Sequence, residues 1–207
     1  MVAAVTLPAM TRVVLASAST ARLAVLRAAG IEPEVVVSHV DEDAISAHSP
    51  AELAGVLANA KAEAVAGGQR DALVIGCDSV LDLDGAALGK PRSGEEVRQR
   101  WRALAGRSAT LVSGHCVIDT GTGRRAADVG ASVVHFGRPT DAEMEAYLAT
   151  GEPLHVAGSF TIEGYGGWFV EGIEGDHTNV LGLSLPLLRR LLTEIGHDVT
   201  TLWNRPD

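Results

Sequence analysis

Cysteine is nearly absent from this chain: Cys77 and Cys116 are the only two in 207 residues. Two thiols so far apart exclude a disulfide scaffold and a zinc site. Each lies in an apolar run and reads as a small core residue in a reduced compartment. Excess positive charge is also missing. The net charge is −9, from 26 acidic and 17 basic side chains, which excludes a fold-wide footprint for polymeric nucleic acid and leaves room for a local pocket binding a small anion. No apolar run approaches the length that spans a bilayer. Residues 1–11 lack the charged start and apolar centre of a signal peptide, so a soluble cytoplasmic protein without a membrane partner is expected. A Walker-type phosphate loop ending in Lys-Ser/Thr is missing, which argues against a P-loop NTPase. Internal repeats, low-complexity linkers and a Pro-rich hinge are likewise lacking. With 46% apolar residues, the chain is long enough to bury a sizeable core in one domain or two intimate lobes.

What is present begins with Val13-Val14-Leu15, a short strand that runs into Ser17, Ser19, Thr20 and Arg22 and then a helical pattern to Gly30. Ser19 or Thr20 suits the N-cap, and a helix N-terminus beside hydroxyls and an arginine attracts phosphate. Taken alone, an ordinary capped helix explains the stretch better. A strand over 34–38 leads to Asp41-Glu42-Asp43, which fits a solvated acidic loop and a hard-cation site about equally. Residues 50–66 form a helix, and the 100° step per residue places Lys61 inside its apolar arc with Leu57, Ala60 and Ala64. A lysine there either snorkels or meets an anion. Residues 72–79 are the most apolar strand, expected to be central and covered on both faces, and to end on Asp78.

Beyond it, Asp84-Gly85 marks a hairpin that delivers the corner Gly89-Lys90-Pro91. Ser93 to Glu96 reads as a capping box opening a helix to Gly106. Strands over 109–119 and 126–136 flank a Thr-Gly-Thr-Gly turn, and Thr140 to Glu143 is a second capping box. Residues 158–167 are a glycine-dense loop carrying one acid, Glu163. A final helix covers 184–195, and the tail from His197 shows no clear pattern. Alternating strands and helices, then hairpins, predict an α/β protein with a mixed sheet.

These weak signals share one chemistry. Hydroxyls, an arginine, two lysines and separated carboxylates are the components of a site for phosphate and a divalent metal. The motifs as a set resemble the Maf-like nucleoside triphosphate pyrophosphatases over roughly residues 12–192. The carriers are Ser17-Ala18-Ser19-Thr20-Ala21-Arg22, the acidic pair Asp41-Glu42, Leu57-Ala58-Asn59-Ala60-Lys61, Gly76-Cys77-Asp78-Ser79-Val80, Gly89-Lys90-Pro91, the loop Ala157 to Gly164 and Val180 to Leu183. The resemblance implies an ITPase-like mixed, twisted sheet flanked by helices, with two lobes around a deep cleft. One Maf-like domain over 12–196 would lie between an N-terminal extension (1–11) and a C-terminal tail (197–207).

It also implies hydrolysis of a nucleoside triphosphate between the α- and β-phosphates with Mg²⁺ or Mn²⁺. Asp78 would act as general base and metal ligand, and Glu42 as metal ligand. Ser17, Ser19, Arg22, Lys61 and Lys90 would hold phosphate. Departures from the family pattern fall on base recognition. Its Pro-Arg stands here as Thr20-Ala21, a histidine stands as Ala109, and the glutamine of the pyrimidine-selective branch is Glu163. The alternative is a nucleotide-sensing regulator of cell division without catalysis, which has no need of Asp78 beside an acidic pair. Homodimers are common in the family, although no exposed apolar seam is legible here.

Overall fold

The computed structural model describes residues 11–204, so the expected N-terminal extension lies almost wholly outside the described residues. Seven strands form one mixed sheet: β1 (Arg12–Leu15), β2 (Glu34–Val35), β3 (Ala72–Leu83), β4 (Ala86–Leu88), β5 (Ser108–Asp119), β6 (Arg125–Phe136) and β7 (Val170–Glu174). The order is β2-β1-β3-β5-β6-β7, with β4 paired to β3. Strands β2, β1 and β3 run parallel, while β3, β5, β6 and β7 form an antiparallel series. The expected mixed α/β architecture is what the chain adopts.

Among the described residues, six α-helices accompany the sheet: α1 (Thr20–Ala28), α2 (Pro50–Ala66), α3 (Gly94–Leu104), α4 (Asp141–Ala149), α5 (His177–Val180) and α6 (Leu185–Glu194). Short hydroxyl caps start most of them. Ser19, Ser49, Ser93 and Ser184 each accept a backbone N–H of the first turn. Thr140 and Glu143 form the reciprocal capping box expected for α4. At α3 the expected box is only half made. The Glu96 carboxylate accepts the Arg92 backbone N–H at 2.7 Å and the Arg100 guanidinium, and not the N–H of the cap residue.

One face of the sheet is covered by α2, whose approach depends on two glycines. A Cβ at Gly76 would meet the Ala58 carbonyl and lie 2.7 Å from the Ala62 nitrogen; one at Gly114 would meet the Ala54 carbonyl. The helix therefore packs backbone to backbone on β3 and β5. The opposite face carries two apolar clusters. Leu15, Leu26, Leu73, Ile75, Leu188 and Leu192 form the first, with α1 and α6. Leu81, Trp101, Leu104, Phe136, Tyr147 and Phe160 form the second, with α3 and α4. Among the described residues, no helix is long and apolar enough to cross a membrane.

Two further expectations change. The strand predicted over 34–38 shrinks to Glu34–Val35, exposed at the sheet edge, because β1 ends at Leu15 and offers Val36 only one further hydrogen bond. The patternless tail is partly built in. His197 Nε2 meets Asp119 Oδ2 at 2.9 Å, Leu202 is buried, and the Asn204 backbone N–H donates to the Gly30 carbonyl at 2.7 Å.

Candidate active site

The site lies where the sheet is interrupted along one edge of β3. Strand β1 pairs with β3 only as far as Ile75, and β4 rejoins it only from Leu81. Residues 76–80 thus have β5 on one side and no strand on the other. This corrects the expectation that β3 ends on Asp78: the strand continues to Leu83, and Asp78 is reached through the gap beside it. The gap opens into a cleft of about 1340 Å³. Its lining includes Ser17, Ser19, Ala21, Arg22, Glu42, Lys61, Asp78, Lys90 and Glu163, the residues expected to act on phosphate, metal, water or base, while Asp41 and Ala109 lie outside it.

On the α2 side of the gap, Lys61 and Asp78 are each only 7% exposed. Lys61 Nζ lies 2.6 Å from Asp78 Oδ1 and 2.7 Å from Glu42 Oε1. The lysine in the apolar arc therefore meets anions. Glu42 comes from the exposed turn after β2, and half of its side chain remains in solvent. Burial works against its ionisation, but the hydrogen bond and charge of Lys61, with the charges of Lys90 and Arg22, more than offset this and lower its pKa. Asp41 and Asp43 stay exposed, and Asp43 reaches only Arg92, at 3.6 Å.

On the opposite side of the sheet, Arg22 is buried and its guanidinium is committed to the protein. Nε donates to the Gly182 carbonyl at 2.9 Å, Nη1 to Ser17 Oγ at 3.0 Å and Nη2 to Ser79 Oγ at 3.2 Å. Its free donors are few, so it orders the cradle as well as lending it charge. Ser17 Oγ accepts from Arg22 and from the Ser19 backbone N–H at 3.2 Å, which occupies both lone pairs and leaves its O–H to donate into the cleft. Ser79 behaves differently. Ser113 gives its single proton to the Asn179 carbonyl at 3.0 Å, so Ser79 must be the donor in the 2.7 Å Ser79–Ser113 bond. Sequence reasoning did not foresee this relay, because its members meet only through the β3–β5 register that sets Ser79 opposite Ser113.

Lys90 stands across the cleft, exposed, on the corner after β4. That corner is fixed by a residue the sequence did not single out. Arg100 of α3, buried, donates to the Gly89 carbonyl and to Ser159 Oγ, and the Gly158 backbone N–H donates to the same carbonyl at 3.1 Å. An arginine on the arc of Val97, Trp101 and Leu104 was the available signal. A second signal is compositional: Lys61 and Lys90 are the only lysines in the chain, every other cation being arginine.

The donor set fits a hard divalent cation. Among the described residues no group of three or more His, Cys, Asp and Glu side chains is clustered for a metal. Two carboxylates, Glu42 and Asp78, do converge on one point, now held by the Lys61 ammonium. Mg²⁺ is commonly bound by one or two carboxylates, with water and substrate phosphate completing its shell.

A match to the family described as Maf-like protein spans residues 12–195. A nucleoside triphosphate pyrophosphatase of Streptomyces coelicolor is 60% identical over 194 residues, covering 93% of this chain and 94% of that protein. Proteins of the same name from Saccharopolyspora erythraea and Rhodococcus erythropolis are 54% and 53% identical over 207 residues, covering 94% of this chain and 98% and 97% of their own. Among solved structures, the Staphylococcus aureus Ham1 protein is similar over 61% of this chain and 72% of its own, at 19% identity and a TM-score of 0.39. With a family match across nearly its whole length and relatives above half identity, the chain belongs to the Maf-like protein family.

Proposed function

We propose that this protein is a nucleoside triphosphate pyrophosphatase, a hydrolase of acid anhydrides that cleaves between the α- and β-phosphates to give the monophosphate and pyrophosphate. The observation that carries the reading is the buried Lys61 joined to both Asp78 and Glu42 at the gap in the sheet, facing Lys90 across the cleft. An ammonium that bonds two carboxylates without substrate keeps both aimed at one point. The names of the relatives support the same activity.

In this reading, Asp78 takes a proton from the attacking water as its oxygen bonds to the α-phosphorus and the β-phosphate leaves with the bridging oxygen. The Ser17 hydroxyl and the α1 N-terminus beside Ser19 hold phosphate oxygens. Arg22 keeps that cradle in shape and adds charge, while Lys61 and Lys90 stabilise the charge that grows on the departing pyrophosphate. Glu42 and Asp78 would hold Mg²⁺ or Mn²⁺, which supplies charge neutralisation and a more acidic water. Ala21 and Glu163 belong to base recognition. Glutamate only accepts hydrogen bonds, so it suits N–H edges of a base such as guanine. The enzyme would act in the cytoplasm on modified or unwanted nucleotides as a house-cleaning activity.

The test is pyrophosphate release from a panel of nucleoside triphosphates with Mg²⁺ or Mn²⁺. Turnover is expected with at least one nucleotide, lost on chelation and restored by the metal. Asp78→Asn should lower it by about 10²–10⁴-fold with the fold retained. Full turnover in Asp78→Asn defeats the catalytic assignment. Binding without turnover of any nucleotide would establish the sensor in its place.

A further inference from the structure

The third wall of the cleft has no fixed positive charge. Residues 139–188 contain no lysine or arginine, and the part that lines the cleft includes two acids, Glu152 and Glu163, one histidine, His155, and Phe160, Thr161 and Gly164. Such a wall repels phosphate and suits the neutral N–H edge of a base. Arg100 and Trp101 anchor Ser159 at the start of this wall, and one carboxylate holds the stretch from Thr161 to Gly166. Glu152 accepts the Thr161 hydroxyl at 2.5 Å, the Gly166 backbone N–H at 2.9 Å and the Tyr165 backbone N–H at 3.0 Å. A Cβ at Gly164 would meet the Glu152 carboxylate, so the loop lies directly on that side chain and can do so only with glycine there. Behind it, a Cβ at Gly166 would be 2.6 Å from the Tyr147 hydroxyl and 2.7 Å from the Thr161 nitrogen, which closes the other side. The loop is thus clamped on both flanks of Glu163, while Glu163 itself stays exposed and bonds only to its neighbour's N–H.

We propose that Glu152 is a positioning residue for base selection: its carboxylate sets where the Thr161–Gly166 loop, and with it the Glu163 acceptor, stands against the nucleobase. This rests on the pyrophosphatase reading above. Burial opposes the negative charge of Glu152, but the bonds from Thr161, Gly166 and Tyr165 outweigh it and hold the group ionised. Replacing the carboxylate by an amide turns one acceptor edge into a donor that faces the loop's N–H groups, so the loop must move.

The test compares kcat/KM for GTP and UTP, which share ribose and phosphates and differ only in the base. The ratio is measured in wild type, Glu152→Gln, Thr161→Val and Thr161→Ser. The ratio is expected to shift about tenfold in Glu152→Gln and Thr161→Val, the worth of one charge-assisted hydrogen bond, and to stay near wild type in Thr161→Ser, which keeps the hydroxyl. A purely structural role would lower both nucleotides in proportion, and an unmoved ratio in the variants overturns the proposal. If Glu152→Gln does not fold, the two Thr161 variants decide. A wild-type protein that hydrolyses neither these nor any other nucleotide defeats the pyrophosphatase reading and this inference together, whereas an active wild type with an unmoved ratio defeats this inference alone.

Discussion

At the residue scale, Lys61 does two jobs that pull its sequence context apart. It must be buried in the apolar arc of α2 to reach Asp78, and it must stay charged to hold Asp78 and Glu42. Burying a charge is costly unless it is paired, and breaking a buried pair leaves the partner uncompensated. Lys61→Met keeps the length and removes the charge. It should destabilise the fold by about 3 kcal/mol in denaturant titration and lower kcat/KM at least 10²-fold. Retention of kcat/KM within a factor of two would show that the ammonium serves the fold alone. The same scale separates Ser17 from Ser79. Both are serines of the site's motifs, yet counting protons makes one a donor into the cleft and ties the other's proton to Ser113. The sequence places both hydroxyls; it cannot say which way either points.

At the element scale, the relation between α2 and β3 decides whether a catalytic group exists. Gly76 lets the helix backbone touch the strand, and Lys61 sits one turn beyond Ala58, the residue whose carbonyl a Cβ would strike. Gly76→Ala should therefore lower the melting temperature and kcat/KM together, because the helix that must retreat carries the lysine. Gly67→Ala is the matched control: its added methyl meets nothing within 4 Å and its backbone is already helical, so stability should hold or rise by about 0.4–1 kcal/mol. If Gly76→Ala lowers stability and leaves kcat/KM unchanged, the approach of α2 is not what positions Lys61. The helix boundaries, the inward lysine and the central strand were legible from periodicity and caps, which are local properties. The gap was not. It arises because β1 stops after four residues and β4 covers only Leu81 to Leu83, and the first fact concerns pairing between segments some sixty residues apart in the chain.

At the scale of the whole molecule, His115 links the sheet to α6 and sets a pH limit on folding. Its ring is fully buried; Nδ1 faces the Ser113 carbonyl at 3.0 Å and Nε2 accepts the Ser184 backbone N–H at 2.8 Å. Burial chiefly, aided by the charge of Arg22, lowers its pKa to about 4. A histidine depressed below its unfolded value of about 6.5 binds fewer protons when folded, so stability is full above that value and falls as pH drops toward 4. The loss is on the order of 3 kcal/mol. In His115→Gln, which keeps an acceptor for Ser184, the slope of unfolding free energy between pH 6.5 and 4 should flatten against wild type. Parallel slopes would assign the acid sensitivity to other groups.

The sequence by itself determined the residue types of the site, the helix starts and the apolar faces, because caps, turns and hydrophobic period act over a few residues. It also carried the set of motifs by which the family is legible. Only the tertiary structure decided that Asp78 lies within a strand and is reached through a gap, that Arg22 spends its donors on Ser17, Ser79 and Gly182, and that Glu152 holds the glycine loop. It also decided that a tail without pattern closes on Gly30 and Asp119. The physical reason is the same in each case. Strand register and the pairing of buried polar groups are settled between segments far apart in the chain, where no local preference reaches.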